Sequence, residues 1–240
     1  MDIHFPILDC TETTRRTYER HRRKRIEPAL GKLKIAKIDA SIIESFYTEL
    51  RTCRDHCKRH KHIRPDKTHV YKPLGNSTIL EIHGILSKAF GRAERWDWIV
   101  QNPVKKAEAP AKPEPDPQPP SPNEAARILN ESWKDVSWGT LVWVAMTTSP
   151  RRGELCAPRW SDFDADRRVP TYKRSIAQDG KELWETDMKT HRKRIVALDE
   201  NTTAILSDYK AHCQRMARLA GTHLRRTHIY SLVFRMGPSR

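Results

Sequence analysis

Residues 144–164 read VAMTTSPRRGELCAPRWSDFD, and the rest of the chain is read outward from them. An apolar run (Leu141, Val142, Val144, Ala145, Met146) leads into Arg151-Arg152, then Gly153-Glu154-Leu155, then Arg159-Trp160-Ser161-Asp162. The apolar part predicts a buried helix. Arg151 falls just past its end, where a charged side chain leaves the core. Glu154 lies three residues on, within reach on the same face if a helix restarts there. Its carboxylate is then placed to hold Arg151 in one rotamer.

This stretch resembles the first active-site box of the tyrosine recombinases, the phage-integrase family. That box reads Thr-Gly-x-Arg-x-x-Glu-Leu, then Leu-x-Trp-x-Asp-[Ile/Val]-Asp. Thr148, Arg151, Glu154, Leu155, Trp160, Asp162 and Asp164 fall in place. Ser149, followed by Pro150, stands where the family has Gly, and Pro158 stands where it has Leu.

The bulk composition agrees with a polyanionic partner. The 240 residues carry 45 Lys and Arg against 30 Asp and Glu, a net charge of +15, and such a balance favours nucleic acid. Residues 1–107 hold 23 basic and 13 acidic side chains, net +10, leaving +5 for residues 108–240. The main electrostatic grip is therefore expected in the amino-terminal half. No stretch approaches the ~20 apolar residues of a membrane span. No signal-peptide pattern opens the chain, and its five scattered cysteines suggest no disulfide framework. A reducing cytoplasm is the compartment expected.

Residues 13–30 predict a basic helix carrying Arg15, Arg16, Arg20, Arg22, Arg23, Lys24 and Arg25, with Tyr18 and Ile26 as its apolar positions. The run holds few acids, so contact with phosphates is expected. A second helix opens near Asp39, with Ser41 and Glu44 at capping-box spacing, Asp39 a competing cap, and Ile42, Ile43, Phe46, Tyr47 and Leu50 as its apolar face. Residues 51–72 form a basic insert with Cys53, His56, Cys57, His60, His62 and His69. A zinc site is one reading and a flexible basic loop the other; the spacing favours the loop. A third helix is expected from the Asn76-Ser77-Thr78 cap, with Ile79, Ile82, Ile85, Leu86, Phe90 and Ala93 as its core stripe. Trp96 and Trp98 close that stripe, and Asn102-Pro103 ends the helix. This order of helices resembles the integrase core-binding domain, which implies backbone contacts from Lys72, Ser77, Thr78 and Lys88.

Residues 107–122 hold seven prolines and no glycine, the composition of an extended, semi-rigid linker. Ser121 and Glu124 then form a capping box with Pro122 at the first helical position, and Ala126, Ile128 and Leu129 are expected on the inner face. Val169–Ile176 and Arg194–Leu198 read as strands. Between them Lys189-Thr190 resembles the family's second box, a lysine at a hairpin tip that enters the minor groove. Asp199 caps a last helix running to about Leu219, and residues 227–233 read as a strand.

The fold expected is mainly α with a small β-sheet. A helical core-binding (SAM-like) domain spans 1–106, a Pro-rich linker 107–122 and a partial α+β tyrosine-recombinase catalytic domain 123–240. The resemblance implies cleavage and rejoining of double-stranded DNA at attachment sites, with no metal and no cofactor, by homo-oligomers in complete members. Arg151 would hold a non-bridging phosphate oxygen, Glu154 would support it, and Lys189 would donate a proton to the leaving oxygen. The family also needs His-x-x-Arg and a nucleophilic tyrosine. His223, Arg226 and Tyr230 match them in type, but they follow Lys189 too closely. The expectation is a member lacking its carboxyl-terminal catalytic segment, either an inactive enzyme or a DNA-binding competitor or regulator.

Overall fold

The structure, a computed structural model, describes residues 8–55, 70–189, 192–221 and Ile229. The chain divides into two compact units, Met1–Pro117 and Gln118–Arg240.

In the first unit, helix α1 (Glu12–His21) starts at the Thr11 cap and runs through a π turn (Arg22–Ile26) into the short α2 (Glu27–Leu30). Helix α3 (Ala40–Thr52) is capped by Asp39, whose carboxylate accepts the Ile42 N–H at 2.9 Å and the Ser41 hydroxyl at 2.8 Å. The Ser41–Glu44 box is therefore not formed. Ser41 already lies inside the helix, and Glu44 accepts the Glu108 N–H at 2.8 Å instead. Helix α4 (Asn76–Arg95) begins at Gly75, not at an Asn76 side-chain cap. All six residues of its expected core stripe are buried, packed with Ile43, Phe46, Tyr47 and Leu50 of α3 and with Ile26, Ala29 and Leu30.

The end of α4 differs from the sequence expectation. The helix stops at Arg95, with Asp97 in the left-handed region (φ 57°). Trp96 and Trp98 turn outward as an edge-to-face pair at 5.1 Å, 38% and 49% exposed, and do not close the core. Pro103 starts a separate 3₁₀ turn (Pro103–Lys105). Asn102 before it is fully buried, with both ends of its side-chain amide paired. Its amide donates to Ser87 O at 3.0 Å, and its side-chain oxygen accepts the Val104 N–H at 2.9 Å. Cys53 is buried at the end of α3. The other Cys and His residues of the insert lie outside the described residues. Among the described residues, no group of three or more His, Cys, Asp or Glu is arranged to hold a metal.

In the second unit, α5 (Pro122–Ser132) has both arms of the Ser121–Glu124 capping box. Its inner face is Ala125, Leu129 and Ser132; Ala126 is exposed, and Ile128 is 47% exposed. The 3.6-residue period holds, but its phase is shifted from the one expected. Helix α6 (Val136–Thr148) and the short α7 (Arg152–Cys156) follow, then a 3₁₀ turn (Trp160–Asp162). Strands β1 (Phe163–Asp164), β2 (Val169–Tyr172) and β5 (Arg194–Ile195) form one antiparallel sheet in the order β1-β2-β5. Strands β3 (Arg174–Asp179) and β4 (Glu182–Asp187) form a separate hairpin. The single strand expected over 169–176 is thus broken at Lys173, and β4 is an additional strand. Helix α8 (Glu200–Leu219) is capped by Asp199 as expected. Leu141, Val144, Leu155, Trp160, Phe163, Leu198, Leu206 and Tyr209 make the core. Among the described residues, no helix is long and apolar enough to cross a membrane.

Candidate functional site

Two buried polar side chains of the second unit, Thr148 and Glu154, flank the junction of α6 and α7. Helix α6 ends because Ser149 adopts φ 46°, ψ 47° and Pro150 cannot continue the hydrogen-bond ladder. Left-handed geometry is what glycine takes most readily. Ser149 therefore takes a conformation that glycine would adopt without strain. Arg151 follows in extended backbone and opens α7.

Glu154, at the third position of α7, is the pivot. Its side chain is 2% exposed, whereas that of Arg151 is 61% exposed. One carboxylate oxygen accepts the Arg151 backbone N–H at 3.2 Å, and the other accepts Arg151 Nη1 at 2.6 Å. The same carboxylate thus caps the helix and orients the guanidinium, while most of the Arg151 side chain stays in solvent. α7 is seated by Gly153. A Cβ there would lie 2.3 Å from Ser175 Oγ and 2.7 Å from Ile176 O of β3, so only glycine allows this approach.

Arg194, at the start of β5, completes the cluster. It donates from Nη2 to Thr148 O at 2.7 Å and from Nη1 to Ser149 O at 3.1 Å, and it comes within 4.0 Å of Glu154. These are α6's last carbonyls, which have no partner within the helix and favour a cation. β2–β5 pairing sets Arg194 opposite Tyr172, whose hydroxyl lies 3.1 Å from Thr148 Oγ1. Burial pushes the Tyr172 hydroxyl upward, against the opposing pull of the Thr148 hydrogen bond and the Arg194 charge. Neither Arg194 nor Tyr172 stands out in the sequence. An arginine opening a two-residue strand carries no local signal, and its partners are more than forty residues away.

Asp162, from the end of the same box, has a structural place. Its buried carboxylate accepts Arg159 N–H at 3.0 Å, Lys173 Nζ at 3.0 Å and Arg174 Nη2 at 2.8 Å. Burial works to raise this carboxyl, but the N–H and the two cations outweigh it and hold it below the ordinary carboxylate range. Cys156 is buried nearby, and burial pushes its thiol up to about 11, an unreactive state.

Lys189 is exposed, directly after β4. It is not at the tip of a two-stranded hairpin. The hairpin turn falls at Gly180-Lys181, and β4 and β5 belong to different sheets. Lys189 lies instead in the connection, residues 188–193, that ends at Arg194. Thr190, His223, Arg226 and Tyr230 lie outside the described residues, as does most of the strand expected over 227–233.

The basic candidates of the first unit are more compensated than the sequence suggests. Arg16 pairs with Glu12 at 2.9 Å, and Arg15 lies 3.9 Å from the same carboxylate. Arg22 forks onto Glu19 at 3.0 and 2.8 Å and lies 3.5 Å from Glu27. The i+3 and i+4 spacings that place cations on one face also deliver these acids. Arg23 is exposed on the π turn. Lys88 of α4 reaches the Tyr18 hydroxyl at 3.3 Å and sits 5.6 Å from its ring centre, tying α4 to α1. Lys72 lies 4.0 Å from Asp55 just ahead of α4, and Ser77 and Thr78 occupy the first turn of that helix.

Residues 7–51 match the phage integrase N-terminal SAM-like domain. A Haemophilus influenzae protein named as an integrase/recombinase is 25% identical over 119 residues, 45% of this chain and 32% of that protein. Over these segments the sequence is similar to phage integrases and recombinases. Among solved structures, the Tn1549 transposon integrase in complex with a circular-intermediate DNA superposes with a TM-score of 0.66 at 18% identity, covering 85% of this chain and 60% of the integrase. A lambda integrase dimer bound to a core site gives 0.61 at 18% identity, covering 88% and 67%. At that identity the likeness concerns the fold alone, and the chain spans about a third of its Haemophilus relative and 60% of the Tn1549 integrase.

Proposed function

We propose that this chain grips double-stranded DNA as tyrosine recombinases do, with Arg151 on a phosphate and Lys189 beside it. The observation that carries the reading is the Arg151–Glu154 arrangement: a buried carboxylate fixes the base of an arginine whose head is presented to solvent. A guanidinium so held matches two oxygens of a phosphate. Lys189, exposed two residues after β4, supplies a flexible donor. In the first unit, Arg15, Arg16, Arg22, Arg23, Lys72, Ser77, Thr78 and Lys88 would contact the sugar-phosphate backbone without reading sequence. The integrases of similar fold were solved with DNA, one of them as a dimer on its core site, which supports duplex DNA as the partner and assembly on it.

Cleavage additionally requires a nucleophile and further phosphate-stabilising groups. His223, Arg226 and Tyr230 are the residues of suitable type in the sequence after Lys189, and their spacing to it is short. The role that the described residues support is the gripping of DNA. Covalent trapping on a nicked suicide duplex carrying the attachment site tests this. Retarded DNA is expected, and unretarded DNA would overturn the reading. A denaturant-resistant band lost on Tyr230→Phe would add strand cleavage by Tyr230 to DNA binding.

A further inference from the structure

We propose that Arg194 is a positioning residue that couples the Lys189 connection to the Arg151 turn, so that the two phosphate-facing cations act as one unit. The inference rests on the roles given above to Arg151 and Lys189.

Arg194 is where the connection ends and β5 begins, and β5 is only two residues long. Two register pairs, Thr171 with Ile195 and Tyr172 with Arg194, attach it to β2. Beyond β5, Val196 N–H donates to Pro170 O at 3.4 Å and Leu198 N–H to Arg168 O at 2.8 Å, while the Arg194 head supplies a separate anchor, to the Arg151 turn. Two of its N–H groups go to Thr148 O and Ser149 O, which precede Arg151. Its Nη1 also lies 4.0 Å from the Glu154 carboxylate, which holds Arg151 from the other side. The turn carrying Arg151 is therefore clamped before and after by one planar fork. A displacement of Arg194 by DNA bound at the connection reaches the Arg151 turn through bonds of 2.7 and 3.1 Å.

Charge points the same way. One buried carboxylate is shared by two guanidinium groups, a cluster with net positive charge that suits an incoming phosphate. Without Arg194, Glu154 keeps Arg151 as its near cation and draws it inward. A lysine at 194 retains the charge but not the planar fork that serves two carbonyls at once.

The test measures the salt dependence of binding of the full chain to a mixed-sequence duplex of about 30 base pairs, where each phosphate left without its cation lowers the log–log slope by about 0.9. Arg151→Ala and Lys189→Ala are each expected to reduce it by about 0.9. Arg194→Ala is expected to reduce it by about 0.9 to 1.8 in the parent, and to change it by less than about 0.3 in the Arg151→Ala/Lys189→Ala background. Arg194→Lys is expected to recover less than about half of the loss. Near-UV circular dichroism confirms that each variant is folded. If Arg194→Ala is not, the Arg194→Lys result decides alone. Additive loss in both backgrounds, or full rescue by lysine, would make Arg194 itself a phosphate ligand and overturn the inference. An unchanged slope in both Arg151→Ala and Lys189→Ala would instead overturn the underlying reading, and the inference with it.

Discussion

Replacing Glu154 by glutamine removes a charge while keeping the shape. In the structure its carboxylate accepts two hydrogen bonds from one residue, the Arg151 N–H at 3.2 Å and Nη1 at 2.6 Å. Glutamine keeps one acceptor and turns an N–H₂ donor toward the other Arg151 donor, so one of the two bonds is lost and a buried amide is left poorly paired. A hydrogen bond involving a charged group contributes about 1.5–3 kcal/mol. Arg151 is 61% exposed and rehydrates when released, so the lower end applies, about 1.5–2 kcal/mol. For a unit of roughly 120 residues this is a fall in Tm of about 5–10 °C. Scanning calorimetry reads it. Affinity for duplex DNA should fall in parallel, because a guanidinium free to rotate loses orientation before it meets a phosphate. A Tm within about 1 °C of the parent, with unchanged DNA affinity, would refute the claim that Glu154 orients Arg151.

Other residues test neighbouring parts of the molecule. Ser149→Gly should leave stability unchanged or slightly raised, and Ser149→Val should lower it by about 1–2 kcal/mol, since φ 46° strains a β-branched residue; urea unfolding reports both. Gly153→Ala should destabilise the second unit by about 1–3 kcal/mol, because its methyl meets β3 backbone at 2.7 Å, and a wild-type unfolding midpoint would contradict that packing. Asp162 has a depressed carboxyl, so its stabilising contribution is present above its unfolded pKa and is lost as pH falls through the folded value. An acid titration of Asp162→Asn should therefore show a shallower loss of stability below about pH 4 than the parent. Arg23→Ala should reduce the salt slope of DNA binding by about 0.9, and Arg22→Ala by less, since Arg22 is already forked onto Glu19; equal effects would remove the role assigned to that ion pair.

The features written in short-range sequence chemistry reappear in the structure. The apolar stripe of α4, the Ser121–Glu124 box, the Asp199 cap and the Arg151–Glu154 spacing all depend on residues within one or two helical turns. What the sequence hides depends on longer reach or on competition between equal signals. Asp39 displaces Ser41 as a cap because both have suitable side chains and only the backbone geometry decides. Trp96 and Trp98 look like core residues, but one left-handed residue at Asp97 turns them to the surface. Asn102, an ordinary polar residue before a proline, is fully buried because Ser87 and Val104 satisfy it. The phase of α5 is hard to read because its apolar residues are few and surround the helix. In the candidate site, Arg151 and Glu154 are legible from a local motif, whereas Arg194 and Tyr172 reach it only through pairing of β2 with β5.

The central claim is that this chain grips duplex DNA through a built set of cations. The most direct measurement is fluorescence anisotropy of a labelled duplex at salt concentrations from about 50 to 200 mM. With contacts from about five cations, including Arg23, Lys88, Arg151 and Lys189, a log–log slope near −4 or steeper is expected. Within it, a share of about 0.9 is assigned to Arg151 and should disappear in Arg151→Ala. Absence of binding at the lowest salt, or a slope near zero, would contradict the claim.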